Sequence, residues 1–176
     1  MANRDTSVLL ASGGLDSTTV AYWLQSKDIP FVPLFINYGQ HCAETEYSTL
    51  CSVLPESYRG QVETVCIADV YKGAKSRLIR EADLWRDDMK GDPLYLPYRN
   101  LLLLTAGAAY AKSRDYSALY SGFINSNHAK EIDCSAKFFN ELGGLLSEYG
   151  SVTVHMPFRD MPKSEVAKIA LELGVP

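Results

Sequence analysis

The chain has 176 residues, with 17 Lys+Arg against 21 Asp+Glu and a formal net charge of −4. That length suits one globular domain with a substantial core, and a composition of 47% hydrophobic and 22% charged residues excludes a disordered or collagen-like chain. The acidic balance argues against wrapping duplex nucleic acid, which needs a basic footprint, so no strong nucleic-acid binding is expected.

Cys42, Cys51, Cys66 and Cys134 form no C-x-x-C pair and have no His at metal-ligand spacing, so neither a zinc site nor a secreted disulfide framework is readable. The opening MANRDTSVLL is too short an apolar run for a secretory signal. The longest apolar stretch, 101–111, falls short of the ~20 residues a membrane helix needs, so no membrane association is expected. A reducing cytoplasmic compartment is the expectation.

Short aliphatic or β-branched runs alternate with segments of helical period, the pattern of a parallel sheet wrapped by helices. Residues 8–11 read as the first strand and 16–25 as a helix, with Gly13 and Gly14 at the turn between them. A second strand follows over 31–36, a helix over 44–53 and a third strand over 62–67. From Asp69 to Pro97 the pattern loosens. EADLWRDDMKGDP has no apolar face, and Gly91, Pro93 and Pro97 interrupt it, so an irregular helix and then a long loop are expected. Residues 99–112 return to a helix apolar enough to be buried on most sides. Strand four is read over 118–122, a helix over 136–148, strand five over 152–155, and a last helix over 163–173 that Gly174 and Pro176 terminate. The expected architecture is a single α/β domain with a doubly wound, five-stranded parallel sheet.

The most informative stretch is Ser12-Gly13-Gly14-Leu15-Asp16-Ser17, between a hydrophobic strand and a helix. Two glycines permit a tight turn that presents backbone N–H groups, the serines add hydroxyls, and the helix N-terminus adds positive potential. Such a turn can cradle an anion. It has neither the Lys of a G-x-x-x-x-G-K-S/T loop nor the third glycine of G-x-G-x-x-G, so a Walker-type site and a dinucleotide fingerprint do not fit. A bare Gly-Gly between strand and helix is more often a plain turn with Ser12 or Asp16 as a cap. The full hexapeptide at the end of the first strand is the more specific signal.

This hexapeptide resembles the SGGxDS signature of the PP-loop ATP pyrophosphatases, whose members adenylate a carboxylate, carbonyl or base carbon and release pyrophosphate. The resemblance implies an adenine nucleotide alpha hydrolase-like fold, with Ser12, Gly13, Gly14, Leu15, Asp16 and Ser17 around the pyrophosphate portion of ATP and Asp16 near Mg²⁺. Asn37-Tyr38-Gly39-Gln40-His41 follows the second strand at the end where open α/β sheets bind ligands, although Asn, Gly and Gln are also ordinary turn residues. With the Glu-containing helix behind it, this segment resembles the D-Y-G-Q-R/K-H stretch of the 7-cyano-7-deazaguanine synthase family, also called ExsB or QueC. Asn37 stands in place of the commoner Asp, and Cys42 shifts the basic position.

Leu96-Pro97-Tyr98-Arg99-Asn100 resembles the family's V-P-x-R-N segment at a helix start, with Tyr98 where the family usually has Gly. An Arg at a helix N-terminus is electrostatically awkward unless an anion is close. A phosphate or substrate carboxylate would supply one, and so would a surface pairing with Asp88 or Asp92. Ser121-Gly122 and Ile132-Asp133-Cys134 resemble a T/S-G stretch and a P-D-C element along the family's substrate pocket, while NSNHAKE between them departs from the family's E-D-x-S-G-Y. Met156-Pro157-Phe158 with Asp160, Lys163 and Glu165 resembles the closing T-P-L/F strand and K-x-E helix. Lys163 there either approaches a phosphate or stays a solvated first-turn lysine.

The resemblance spans about 8–173 and implies an ATP-dependent carbon–nitrogen ligase of queuosine biosynthesis. In that reaction 7-carboxy-7-deazaguanine is adenylated, ammonia captures the acyl-adenylate, and a further ATP-driven dehydration gives 7-cyano-7-deazaguanine. The resemblance implies Asp16, Arg99 and Lys163 as catalytic; the hexapeptide with Asn37, Tyr38, Gly39, Gln40 and Gly122 around the nucleotide; and Arg99, Asn100 and Asp133 at the substrate. ATP and Mg²⁺ are the implied cofactors, a deazapurine carboxylate and ammonia the small-molecule partners, and a homodimer the implied assembly. Family members also carry a four-Cys Zn²⁺ segment after the last helix, whose ligands are not in this chain. Residues 1–176 are therefore read as a PP-loop domain without that tail, or as a diverged homologue acting on a related deazapurine. Another PP-loop amidotransferase or tRNA-modifying enzyme, and a non-catalytic nucleotide-binding module, stay open as alternatives.

Overall fold

The computed structural model describes residues 6–80, 95–124 and 132–176. Five strands, β1 (Ser7–Leu10), β2 (Phe31–Asn37), β3 (Glu63–Cys66), β4 (Ala118–Tyr120) and β5 (Thr153–His155), form one sheet in the order β3-β2-β1-β4-β5, and every pairing is parallel. Val8 lies opposite Val32 on one side and Leu119 on the other, which makes β1 the central strand. Parallel neighbours cannot be joined by a tight turn and need crossovers. These carry α1 (Leu15–Ser26), α2 (Ala43–Val53), α3 (Arg99–Lys112) and α4 (Ala136–Gly150), and α5 (Lys163–Glu172) closes the chain.

Successive strand side chains point to opposite faces. Val8 and Leu10 of β1 with Leu34 and Ile36 of β2 therefore join Leu104, Ala108 and Ala111 of α3 and Phe139 and Leu142 of α4 in one core. Leu9, Ala11, Phe31 and Phe35 join Val20, Ala21 and Leu24 of α1, Leu50 of α2 and Val166 of α5 in the other. Each fully buried Leu or Val side chain stabilises the fold by about 1.5–3 kcal/mol. The expected enclosure of α3 is observed, since only Ala109 and Lys112 of that helix are exposed. α1 buries Ser17, Thr18 and Thr19, whose hydroxyls donate to Gly14 O, Gly14 O and Leu15 O, so these polar groups enter the interior already paired.

The widest departures from the sequence reading are at the ends of β4 and α4, while other element ends shift by at most a single residue. β4 ends at Tyr120, although Ser121 N still donates to His155 O of β5, and α4 runs on to Gly150 before Ser151 ends it in a left-handed conformation at φ 55°. The irregular helix expected after Asp69 falls mainly on 81–94, outside the described residues; the described part holds a short 3-10 turn at Ala68–Tyr71. α5 closes with Val175 N donating to Ala170 O and Gly174 N to Leu171 O, a Schellman arrangement with Gly174 at φ 71°. The chain winds outward from β1 in both directions, so the order reverses between β1 and β4. The crevice beyond the carboxyl ends of those strands is where open sheets of this kind take ligands.

Candidate active site

A cavity of about 370 Å³ lies in that crevice. Leu10, Ala11, Leu34, Phe35, Ile36, Leu103 and Phe123 line it with apolar surface, and Ser12, Asp16, Ser17, Tyr38, Gln40, Glu46, Arg99, Ser121 and Lys163 bring polar groups to it.

The glycine turn forms one end. Gly13 has φ 78°, and a Cβ on it would lie 2.8 Å from Leu50 N of α2, so both conformation and space demand glycine. Gly14 caps α1 with no side-chain hydrogen bond, which leaves the first-turn N–H groups without a side-chain acceptor and suited to a ligand's anionic oxygens. Ser17 Oγ accepts from Ser12 N at 3.3 Å and donates to Gly14 O at 3.2 Å, closing the loop on itself. Gly122 backs onto it from β4, because a Cβ there would sit 2.8 Å from both Asp16 C and Ser17 N.

Asp16 has its two oxygens in unlike settings. Oδ2 pairs with Lys163 Nζ at 3.2 Å, which brings the start of α5 to the loop. Oδ1 is buried with no partner among the described residues, and so is Ser121 Oγ on the same cavity. A buried polar atom left unpaired costs about 1–3 kcal/mol, so both atoms are suited to a ligand or ion that completes them. Mg²⁺ fits Asp16 Oδ1, since that ion takes one or two carboxylates and fills its octahedron with water and phosphate oxygens. Zn²⁺ does not fit. The described residues contain no group of three or more His, Cys, Asp or Glu able to hold a metal, and none of the four cysteines is in a disulfide.

The turn after β2 is held by its own side chains. Asn37 Oδ1 accepts from Gly39 N and Gln40 Oε1 accepts from Tyr38 N, both at 2.9 Å. Gln40, only 4% exposed, donates from Nε2 to Glu46 Oε2 at 3.0 Å. Tyr38 and Gln40 line the cavity, whereas Asn37 and Gly39 do not; these two shape the turn that carries their neighbours there. Gly13 likewise lies behind the wall, against α2.

At the start of α3, Tyr98 is 68% exposed and left-handed at φ 57°, a conformation that glycine adopts at least cost. Arg99 lines the cavity, and Asp88 and Asp92 lie outside the described residues. Asn100 and Asp133 are not on its wall but bound to each other: Asp133 Oδ2 accepts from Asn100 N, and Asn100 Nδ2 donates to Asp133 O, both at 2.9 Å. The buried Asp133 carboxylate thus satisfies a first-turn N–H of α3 and holds the helix that presents Arg99. Cys134 is buried in the core between the sheet, α3 and α4.

A family profile described as Queuosine biosynthesis protein QueC matches residues 6–176. The chain belongs to the QueC family. Relatives named 7-cyano-7-deazaguanine synthase include one from Haloarcula marismortui, 29% identical over 100% of this chain and 80% of its own length. Another, from Caldicellulosiruptor bescii, is 30% identical over 96% of this chain and 78% of its own. Two solved structures share the fold at low identity. One is a 4-thiouridine synthetase in complex with RNA and with bound ATP, with a TM-score of 0.64 and 15% identity over 97% of this chain and 41% of that one. The other is a tRNA thiolase, NcsA, from Methanococcus maripaludis, with a TM-score of 0.60 and 18% identity over 98% of this chain and 58% of that one. The PP-loop fold expected from SGGLDS is the fold observed.

In this QueC-family member the electrostatics of the cavity fall into two parts. Asp16, Lys163 and the turn N–H groups lie together at one end. Around Tyr38, burial pushes the phenol above the ordinary tyrosine range, the Arg99 guanidinium pulls it down, and the Glu46 carboxylate and Cys42 thiol push it up. Tyr38 is therefore a neutral hydroxyl at physiological pH. Burial and the bond to Glu46 raise the Cys42 thiol, which donates to Glu46 Oε1 at 3.3 Å and is held toward its protonated form. Tyr71 donates to Pro97 O at 2.8 Å and is raised by burial and by Asp133 against the pull of Arg99. Sequence reasoning missed Glu46 and the Ser121 hydroxyl. The Glu-bearing helix was visible, but nothing local marks its side chain as a cavity residue, and Ser121 needs the adjacency of β4 to β1.

Proposed function

We propose that this chain is a 7-cyano-7-deazaguanine synthase, a ligase that uses ATP to activate the carboxylate of 7-carboxy-7-deazaguanine and joins it to ammonia. The observation that carries the reading is one cavity with two cationic stations. An uncapped glycine turn with Lys163 beside Asp16 suits a pyrophosphate, and Arg99 beside Tyr38 suits a carboxylate.

A carboxylate oxygen of the base attacks the α-phosphorus of ATP, and the bond to pyrophosphate breaks. The turn N–H groups and Lys163 receive the charge that grows on the leaving pyrophosphate, while Arg99 holds the carboxylate in line. Mg²⁺, held on Asp16 Oδ1, would neutralise phosphate oxygens there. Ammonia then adds to the acyl carbon, AMP departs with the bonding pair, and a proton is released to give the amide. The amide oxygen then attacks the α-phosphorus of a second ATP with release of pyrophosphate, and loss of AMP and of both amide N–H protons leaves the nitrile. The protein's share is positioning and fixed charge, and orientation alone can lower a barrier by about 7–11 kcal/mol. The reading takes the enzyme as cytoplasmic and homodimeric; among the described residues no helix is long and apolar enough to cross a membrane.

Incubation with 7-carboxy-7-deazaguanine, ammonium and Mg-ATP is expected to release AMP and pyrophosphate and yield the nitrile by mass spectrometry. Asp16→Ala is expected to abolish turnover while cooperative unfolding persists. Nucleotide binding without AMP or pyrophosphate release would sink the ligase reading and leave a nucleotide-binding module.

A further inference from the structure

Glu46, in the first turn of α2, lines the cavity with a carboxylate whose orientation is fixed from behind. Gln40 Nε2 donates to Oε2 at 3.0 Å and Cys42 Sγ to Oε1 at 3.3 Å. Gln40 is itself held by Tyr38 N and by Ile36 O at 3.4 Å, so a buried amide is committed to aiming this one side chain. Each carboxylate oxygen keeps a second lone pair. The positive end of α2 offsets part of the cost of a charge beside Leu34, Phe35 and Ile36, and ligand donors would offset the rest.

Glu46 and Arg99 both act on the Tyr38 phenol, in opposite senses, yet the two form no ion pair with each other. The cavity therefore keeps an anion and a cation apart beside one aromatic hydroxyl. A ligand that bridges them carries its own anion for Arg99 and a pair of neighbouring N–H donors for Glu46. We propose that Glu46 reads the base: its carboxylate accepts the ring N1–H and the exocyclic 2-amino group of a 2-amino-4-oxopyrimidine ring whose carboxylate lies at Arg99. This assignment rests on the acceptor being the deazaguanine carboxylate named above. A ribose diol or an ammonium ion would also suit a carboxylate. The triphosphate of ATP, however, is already matched by the glycine turn and Lys163, and ammonium brings no anion to Arg99.

Calorimetric binding of 7-carboxy-7-deazaguanine and of its 2-deamino analogue, 7-carboxy-7-deazahypoxanthine, tests this on the wild type and on Glu46→Gln. The wild type is expected to prefer the 2-amino compound by about 10-fold or more. Glu46→Gln is expected to weaken that compound by about 10–100-fold and the analogue far less, so that the preference collapses while ATP binds normally. No preference in the wild type overturns the assignment even if the variant fails to fold. Equal losses for both compounds reduce Glu46 to a structural residue. A KM increase in the variant confined to ATP or to ammonium moves it to the ribose or to ammonia. A wild type that binds the base with the expected preference but releases no AMP refutes the ligase reading and leaves the Glu46 assignment standing.

Discussion

Gly122 is where the end of β4 meets the glycine turn, and Gly122→Ala probes how much the site depends on that contact. The added methyl would lie 2.8 Å from Asp16 C and Ser17 N and 3.0 Å from Asp16 O, all backbone atoms. Ordinary contact begins near 3.4 Å, so the first turn of α1 must retreat by about 0.6 Å or the end of β4 must bend. No side-chain rotation relieves this, and overpacking of that kind costs about 1–3 kcal/mol. The retreating segment carries the Asp16 carboxylate and the Ser17 hydroxyl that closes the loop. Misplacement by about 1 Å can cost about 10²-fold, so kcat/KM for ATP is expected to fall by about 10-fold or more. Pyrophosphate release with ATP varied, together with urea unfolding, measures both effects. Gly144→Ala is the control. Its Cβ meets nothing within 4 Å inside α4, so it should raise stability by about 0.5–1 kcal/mol and leave the kinetics alone. Wild-type ATP kinetics and stability in Gly122→Ala would refute the close-approach argument.

The Lys163–Asp16 pair is largely exposed on the lysine side, at 76% against 27%, so Lys163→Ala should change unfolding free energy by less than about 1 kcal/mol. The same variant should raise the KM for ATP by about 10-fold, on the figure for a lost charge-assisted bond, and an unchanged KM would remove Lys163 from the phosphate end. Tyr98→Gly replaces a side chain at φ 57° and should stabilise the fold by about 0.5–1 kcal/mol, because relief of left-handed strain exceeds the added freedom of the unfolded chain. A loss of stability in urea would show that the Tyr98 ring contributes more than its backbone costs. His155 stacks on Tyr120 with ring centroids 4.7 Å apart, and burial lowers its imidazole pKa. The unfolded chain then takes the proton first, so this contribution to stability is present above the ordinary histidine value of about 6.5 and lost as pH falls through and below it. His155→Phe should flatten the drop in Tm between neutral and mildly acidic pH; an unaltered slope would place that dependence elsewhere.

Residues 99–112 were legible as a buried helix from their apolar period, and the Schellman stop from Gly174 with Val175 and Pro176 behind it, because both depend only on near neighbours in the chain. The glycine turn was legible for the same reason: its left-handed Gly13 and its place between strand and helix are local properties. The QueC-family motifs marked which segments meet at the site, but not which atoms face it. Asn37, Gly39, Asn100 and Asp133 belong to those motifs, yet they stand off the cavity wall, where Asn37 Oδ1, Asn100 Nδ2 and Asp133 Oδ2 bond neighbouring backbone groups, while Tyr38, Gln40 and Arg99 beside them reach the cavity. Glu46 and the Ser121 hydroxyl joined the site only when α2 packed on the glycine turn and β4 paired with β1. A motif records which residues occur together along the chain. Distances between side chains, and the charges they leave unpaired, are set by how helices pack on the sheet, and that is decided only in the folded molecule.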